Sequence, residues 1–294
     1  MAFGGLSNEA GDGDNAEINM IPLIDGMLVL LVSFIMPLFV VAGFAIMPQK
    51  VFELSHMPDF SSFAVIWQQG YYRSLLRSLG LAFLTTAILF VVCWPLAYAM
   101  AKVFGRFTLV ITVLVVLLLF VSENIRLFGW FLSLMKGGLL EGYLRHWFGI
   151  SFESPLYTWP VIVFGMAYVY FPFMLFPLMQ GIALVPDDAR LAALDLGASP
   201  ARVLFEVEIP LAAPGIMVGS LLTFVLSAGA VAEAKLLGGR SVVVLTDDVE
   251  SAFTYAQNWP LGSALSLLLI VIAAAIVLVP LGRIDLDAIM GRRK

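Results

Sequence analysis

Four polar residues stand where an apolar chain should not carry them. Glu123, Asn124 and Arg126 interrupt one hydrophobic run, and Glu233 closes another. An ionisable side chain inside hydrocarbon is costly, so such residues mark a substrate or ion pathway by default. Carboxylates in a poorly solvated place attract an ammonium more strongly than they would in water. Glu123 and Glu233 therefore point to a cationic cargo. The same residues also have a plainer reading. Glu123 and Arg126 lie one turn apart on a helix and can neutralise each other, while Glu233 and Lys235 can act as interfacial anchors.

Other reactive constellations are not visible in the sequence. The two histidines, His56 and His146, are far apart and the single Cys93 lies in an apolar run, so the sequence offers neither a disulfide nor a Cys/His metal site. No nucleophile and base can be paired, which argues against a membrane enzyme. The net charge of -5 comes without a basic stripe and sets nucleic acid aside. A G-x-x-x-x-G-K-[ST] phosphate loop is also missing. The "TDDVE" at 246–250 places Asp247 and Glu250 at capping-box spacing, which favours a helix cap over a cation site.

The elements that hold these residues follow from composition. With 61% hydrophobic and 13% charged residues and a mean hydropathy of +0.98, the chain is an all-α, polytopic membrane protein. Runs of about 20 apolar residues cross a bilayer as helices. Six are expected, at 27–47, 74–100, 109–134, 158–184, 214–233 and 262–281. They divide the chain into an acidic N-terminal tail (1–26), a transmembrane unit (27–282) and a C-terminal tail (283–294). The N-terminal tail lacks the basic stretch of a signal peptide, so the first span is expected to be retained. Counted along continuous helices, Glu123 lies about 21 Å from Leu109, and Glu233 about 28 Å from Pro214, both near the outer side. Pro37, Pro95, Pro172 and Pro177 fall inside spans, either as kinks along a pathway or simply because proline is common in membrane helices. Trp67, Tyr71, Tyr72, Trp147 and Trp159 flank spans as aromatic belts do. Basic residues divide almost evenly between the two sides, and the terminal "GRRK" favours termini inside.

Between the fourth and fifth spans lies a charged island, "DDARLAALDLGASPARVLFEVEIPLAAPG", at 187–215. Asp187 and Asp188 supply cap and first-turn acids after Pro186. Gly197 is placed to take a left-handed backbone at the helix end. Ser199 then caps a second helix that opens on Pro200 and ends at Ile209-Pro210. An ordinary amphipathic surface pair would show the same local signals.

The island resembles the EAA loop of ABC importer permeases. Its Leu191, Ala192 and Ala193, then Gly197, then Val207-x-Ile209-Pro210 follow that family's spacing, within an Asp195-Leu-Gly-Ala198-Ser199-Pro200 run. Further segments are similar to the spermidine/putrescine branch: "WPLAYAMAK" at 94–102, "RLFGW" at 126–130, "YFPFMLFPL" at 170–178, "LLGG" at 236–239 and "NWPLGSALS" at 258–266. Leu191 stands where the family carries Glu, Val207 and Ile209 replace Ile and Leu, and Arg77 replaces a common Asn.

The resemblance implies a cytoplasmic coupling loop at 185–213 that docks on an ATPase, with both termini cytoplasmic in a bacterial inner membrane. It implies a second permease subunit, two ATP-binding subunits that hold ATP and Mg, and a periplasmic substrate-binding protein. This chain itself would need no cofactor and no metal, and its remaining partner would be membrane lipid. It would move a small, polyamine-like solute by alternating access. The alternative is an ion-coupled secondary transporter, which would need intramembrane acids but no docking helices.

Overall fold

The computed structural model of the chain describes residues 28–29, 31–48, 58–149, 153–239 and 241–281. Both expected tails, His56 and the first residue of the first expected span lie outside the described residues. Among the described residues every regular element is a helix. Helix α1 (Met36–Ala45) follows a π-helical turn at Leu31–Ile35, and α2 (Ser61–Gln68) precedes α3 (Tyr72–Tyr98), which continues through a second π turn at Ala99–Val103. Then come α4 (Phe107–Leu119), α5 (Glu123–Leu134), α6 (Leu139–Phe148) and α7 (Trp159–Ala183). The charged island gives α8 (Asp187–Asp195) and α9 (Pro200–Val203), the second prolonged by a π turn at Leu204–Glu208 and a last turn at Ile209–Leu211. The chain closes with α10 (Ala213–Ala228), α11 (Ala232–Leu236), α12 (Leu245–Thr254) and α13 (Trp259–Leu281).

Three helices, α3 with its π turn, α7 and α13, are long and apolar enough to cross a membrane, and two bent pairs raise the number to as many as five. The shorter apolar helix Leu31–Ala45 falls on the first expected span. Helix α7 is the central element. Its Ile162, Met166, Met174, Leu175, Leu178 and Ile182 are fully or almost fully buried, and it packs most extensively against α10 and α3, which also pack on each other. Pro172 and Pro177 lie inside α7 and Pro95 inside α3, and each helix runs on past them. Where α7 crosses α10, Gly181 meets Gly215 so closely that a Cβ on either would lie under 3.0 Å from backbone atoms of the other helix. Small residues at a crossing let membrane helices approach by their backbones. A second cluster, including Ala45, Ile66, Leu75, Leu245 and Leu265, ties α1, α2 and α12 to α13. The opposite faces of α3, α4 and α13 expose Phe83, Val91, Leu109, Leu114, Val271 and Leu278, a surface suited to lipid.

The expected span at 109–134 is not one helix. The chain breaks after Leu119, Ser122 takes an extended conformation (φ -53, ψ 137), and the two arms meet at 91°. Glu123 thus opens α5, where a carboxylate complements the positive helix end. The depth counted for it along a continuous helix does not apply, nor does that for Glu233, because the expected span at 214–233 ends at Ala228 and Glu233 lies on the separate α11. The island's second helix runs one residue past Pro210, to Leu211. Proline has no N–H to bond back along a helix, and the π turn at Leu204–Glu208 shifts the bonding register immediately before it. Ala213–Ala228 then leaves at 72°.

Candidate functional site

The loop after α7 is built by local chemistry. Gly197 adopts φ +84 with nothing within 4 Å of where a Cβ would stand, so only its backbone conformation favours glycine. The Ser199 hydroxyl accepts the Arg202 amide at 3.3 Å, and Pro200 begins α9, as the sequence predicts. Pro186, rather than Asp187, occupies the cap position of α8. The Asp187 carboxylate instead pairs with Lys102 at 2.9 Å, because a cation from α3 is within reach. Leu191 and Leu196 are 55% and 90% exposed, and Ala192 and Asp195 are exposed beside them. Ala193 and Ala198 are half-buried. The loop therefore presents a rigid, apolar-tipped knuckle away from the helix core.

Sequence reasoning missed what holds the knuckle. Glu208, which is buried, forms an ion pair with Arg190 Nε at 3.3 Å, and the Tyr98 hydroxyl faces the same carboxylate at 3.5 Å. Arg190 also lies over the Tyr98 ring, 5.9 Å from its centroid. A sequence signal existed, since Glu208 interrupts an apolar segment, but its partners come from other elements.

The acids of the opening argument do converge. Glu233 lies on α11, which packs on α5 and on α7, and its side chain is fully buried. Neither carboxylate oxygen has a hydrogen-bond partner, although the Tyr170 phenol lies beside it and the charges of Glu123 and Arg126 act on it. Arg126 Nε and Nη1 are likewise buried without partners. Its guanidinium stacks over Tyr168, 5.6 Å from the ring centroid. Among the described residues no ion pair within 4.0 Å joins Arg126 to either acid. A buried ion without a hydrogen bond is costly, which sets Glu233 and Arg126 apart from the apolar residues around them. Asn124 is exposed and faces a groove shared with Phe128, Val231 and Lys235.

Outside the spans lies a second acidic feature that the sequence reading took for a helix cap. Asp247 and Glu250 do not share one cap. Asp247 accepts the Val244 amide at 3.3 Å at the start of α12, while Glu250 pairs with Lys235. Together with Asp248, Ser251 and Tyr255 these residues line a cavity of about 570 Å³. Burial pushes the Asp248 carboxyl above its usual range and Asp247 adds to this, while the Ser74 hydroxyl and Arg77 act against it. Among the described residues no group of three or more His, Cys, Asp or Glu is placed to hold a metal ion.

No protein-family model matches the sequence. The chain is 32% identical over 212 residues to the spermidine/putrescine transport system permease protein PotB of Haemophilus influenzae, spanning 71% of this chain and 73% of that one. It is 29% identical to the PotB of Escherichia coli, over 71% and 76% of the two chains. Its fold matches that of a bacterial ABC transporter involved in the import of the acidic polysaccharide alginate, with a TM-score of 0.70 over 88% of this chain and 91% of that chain, at 17% identity. The chain belongs to the family of ABC transporter permease subunits of the spermidine/putrescine type.

Proposed function

We propose that the chain is the membrane subunit of an ATP-driven importer that carries a small cationic, polyamine-like solute into the cytoplasm by alternating access. The observation that carries this reading is the knuckle between α7 and α10: two short helices, the second capped by Ser199, a glycine turn at Gly197 and exposed Leu191 and Leu196. An ion-coupled carrier has no need of such a feature. Docked in a cleft of an ATP-binding subunit, with 185–213 and both termini in the cytoplasm, it would carry nucleotide-driven closure directly into α7 and α10, the two helices it joins. ATP and Mg would be bound by two such subunits, beside a second permease and a periplasmic binding protein that delivers cargo.

The cargo's charge is supported by the buried Glu233 with its unpartnered carboxylate and by the acid-lined cavity on the α12 side. Arg126 opposes a cation there, and its stacking on Tyr168 draws that charge toward α7. The PotB relatives, named for spermidine and putrescine, support the same class of solute. The test is uptake of radiolabelled spermidine by vesicles holding the complete complex. Uptake is expected to require internal ATP and the binding protein and to survive ionophores. ATP-independent uptake that ionophores abolish would favour an ion-coupled carrier instead.

A further inference from the structure

Helices α7 and α10 are joined to the coupling loop by the chain itself. Helix α3 is not, yet its cytoplasmic-loop end meets the loop at two places. Lys102 donates to the Val185 carbonyl at 2.7 Å and pairs with Asp187 at 2.9 Å, which fastens the loop's entry. Tyr98 faces Glu208 at 3.5 Å, and Glu208 is held in turn by Arg190 at 3.3 Å, which fastens its exit. Tyr98 and Lys102 are four residues apart across the start of the π turn at Ala99–Val103, so both point to one side. Glu208 ends the other π turn, Leu204–Glu208. Single π turns recur at functional sites, and here both serve one junction.

Apolar packing is only part of this junction, where Ala97, Met100, Val185 and Ala212 share one buried cluster. A cavity of about 390 Å³, lined by Trp94, Tyr98, Arg190, Leu204 and Glu208 among others, separates α3 from the loop, and the polar contacts cross beside it. The contacts also differ from ordinary surface pairs. Arg202 and Glu206 are 66% and 60% exposed and lie on one helix, so they join nothing and contribute little. The Glu208 side chain is 9% exposed and that of Lys102 16%, and breaking a pair with a buried member is more consequential.

We infer that Lys102–Asp187 and Tyr98–Glu208–Arg190 form a two-point strap that makes α3 a third lever of the coupling loop, so that loop movement displaces α3 together with α7 and α10. These are positioning residues, and the inference rests on the ATP-driven reading given above. Because α3 packs on both α7 and α10, a loop that moved without α3 would shear the core instead of turning it as a block.

The test uses the complete complex in vesicles and measures solute molecules transported per ATP hydrolysed. Glu208→Gln and Lys102→Met are each expected to lower this ratio by a few-fold, and the double variant by about tenfold, with assembly and ATP hydrolysis retained. Lys102→Arg should keep the wild-type ratio, since it retains the charge. A double variant that couples as well as wild type overturns the strap while leaving the ATP-driven reading intact. A double variant that no longer assembles, with Lys102→Arg failing in the same way, assigns these residues to folding and also overturns it. If the wild-type complex itself shows no ATP-driven uptake, the reading beneath the strap falls first.

Discussion

Replacing Gly215 by alanine tests the packing that holds α7 and α10 together. A Cβ at Gly215 would lie 2.4 Å from the Pro177 carbonyl oxygen, 2.5 Å from Gly181 Cα and 2.7 Å from Gly181 N. Non-bonded carbons settle at about 3.5–4.0 Å, so α7 and α10 would have to part by roughly 1 Å. All three obstacles are backbone atoms, and no rotamer change can relieve them. Overpacking of this kind typically costs about 1–3 kcal/mol, which corresponds to a midpoint lowered by roughly 2–10 °C. Gly129 in α5 is the control. It has nothing within 4 Å of a built Cβ, so Gly129→Ala should leave stability unchanged or raise it by up to about 1 kcal/mol. The assay is thermal unfolding of the purified chain in detergent, followed by loss of the monodisperse elution peak. A Gly215→Ala midpoint equal to wild type would refute the claimed backbone contact.

The two acids should respond unequally to loss of charge. Glu233 is fully buried, so Glu233→Gln should raise the spermidine concentration for half-maximal uptake about tenfold, equivalent to roughly 1.4 kcal/mol, with complex assembly and basal ATP hydrolysis retained. Glu123, only half-buried at the open end of α5, sits where water screens more of its field, and Glu123→Gln should cost about threefold or less. Unchanged uptake in the double variant would show both acids to be structural and place charge selection in the binding protein.

What could be read from sequence was what neighbouring residues decide. Gly197, Ser199 and Pro200 punctuate the loop between α7 and α10 through their own backbone and capping chemistry, so their roles in the turn were legible without a fold. The central apolar helices were legible for the same reason, since length and composition suffice. The break at 120–122 was not, because Phe120 and Val121 are as apolar as their neighbours and neither glycine nor proline marks the site. Which hydrogen bond each acid makes was also out of reach. Asp187 and Glu250 look like caps in sequence and are instead drawn to Lys102 and Lys235 by helices that folding brings near. The convergence of Glu233 with Glu123 and Arg126 likewise needs α11 to pack on α5. Sequence placed all three in apolar runs and left open whether they meet.

The claim that the α7–α10 loop transmits ATP hydrolysis is tested most directly by Gly197→Val in the complete reconstituted complex. At φ +84 with open space around it, the only penalty for valine is the backbone's, of about 1–2 kcal/mol for an L-residue in the left-handed region and more for a β-branched one. The turn should escape that strain by rerouting, which displaces α9 and the knuckle without touching the helix core. Asparagine tolerates the same conformation, so Gly197→Asn should transport at close to the wild-type rate. The account predicts that Gly197→Val inserts and assembles at normal levels while ATP-driven spermidine uptake falls by about tenfold or more. Wild-type uptake by a normally inserted Gly197→Val complex would contradict it.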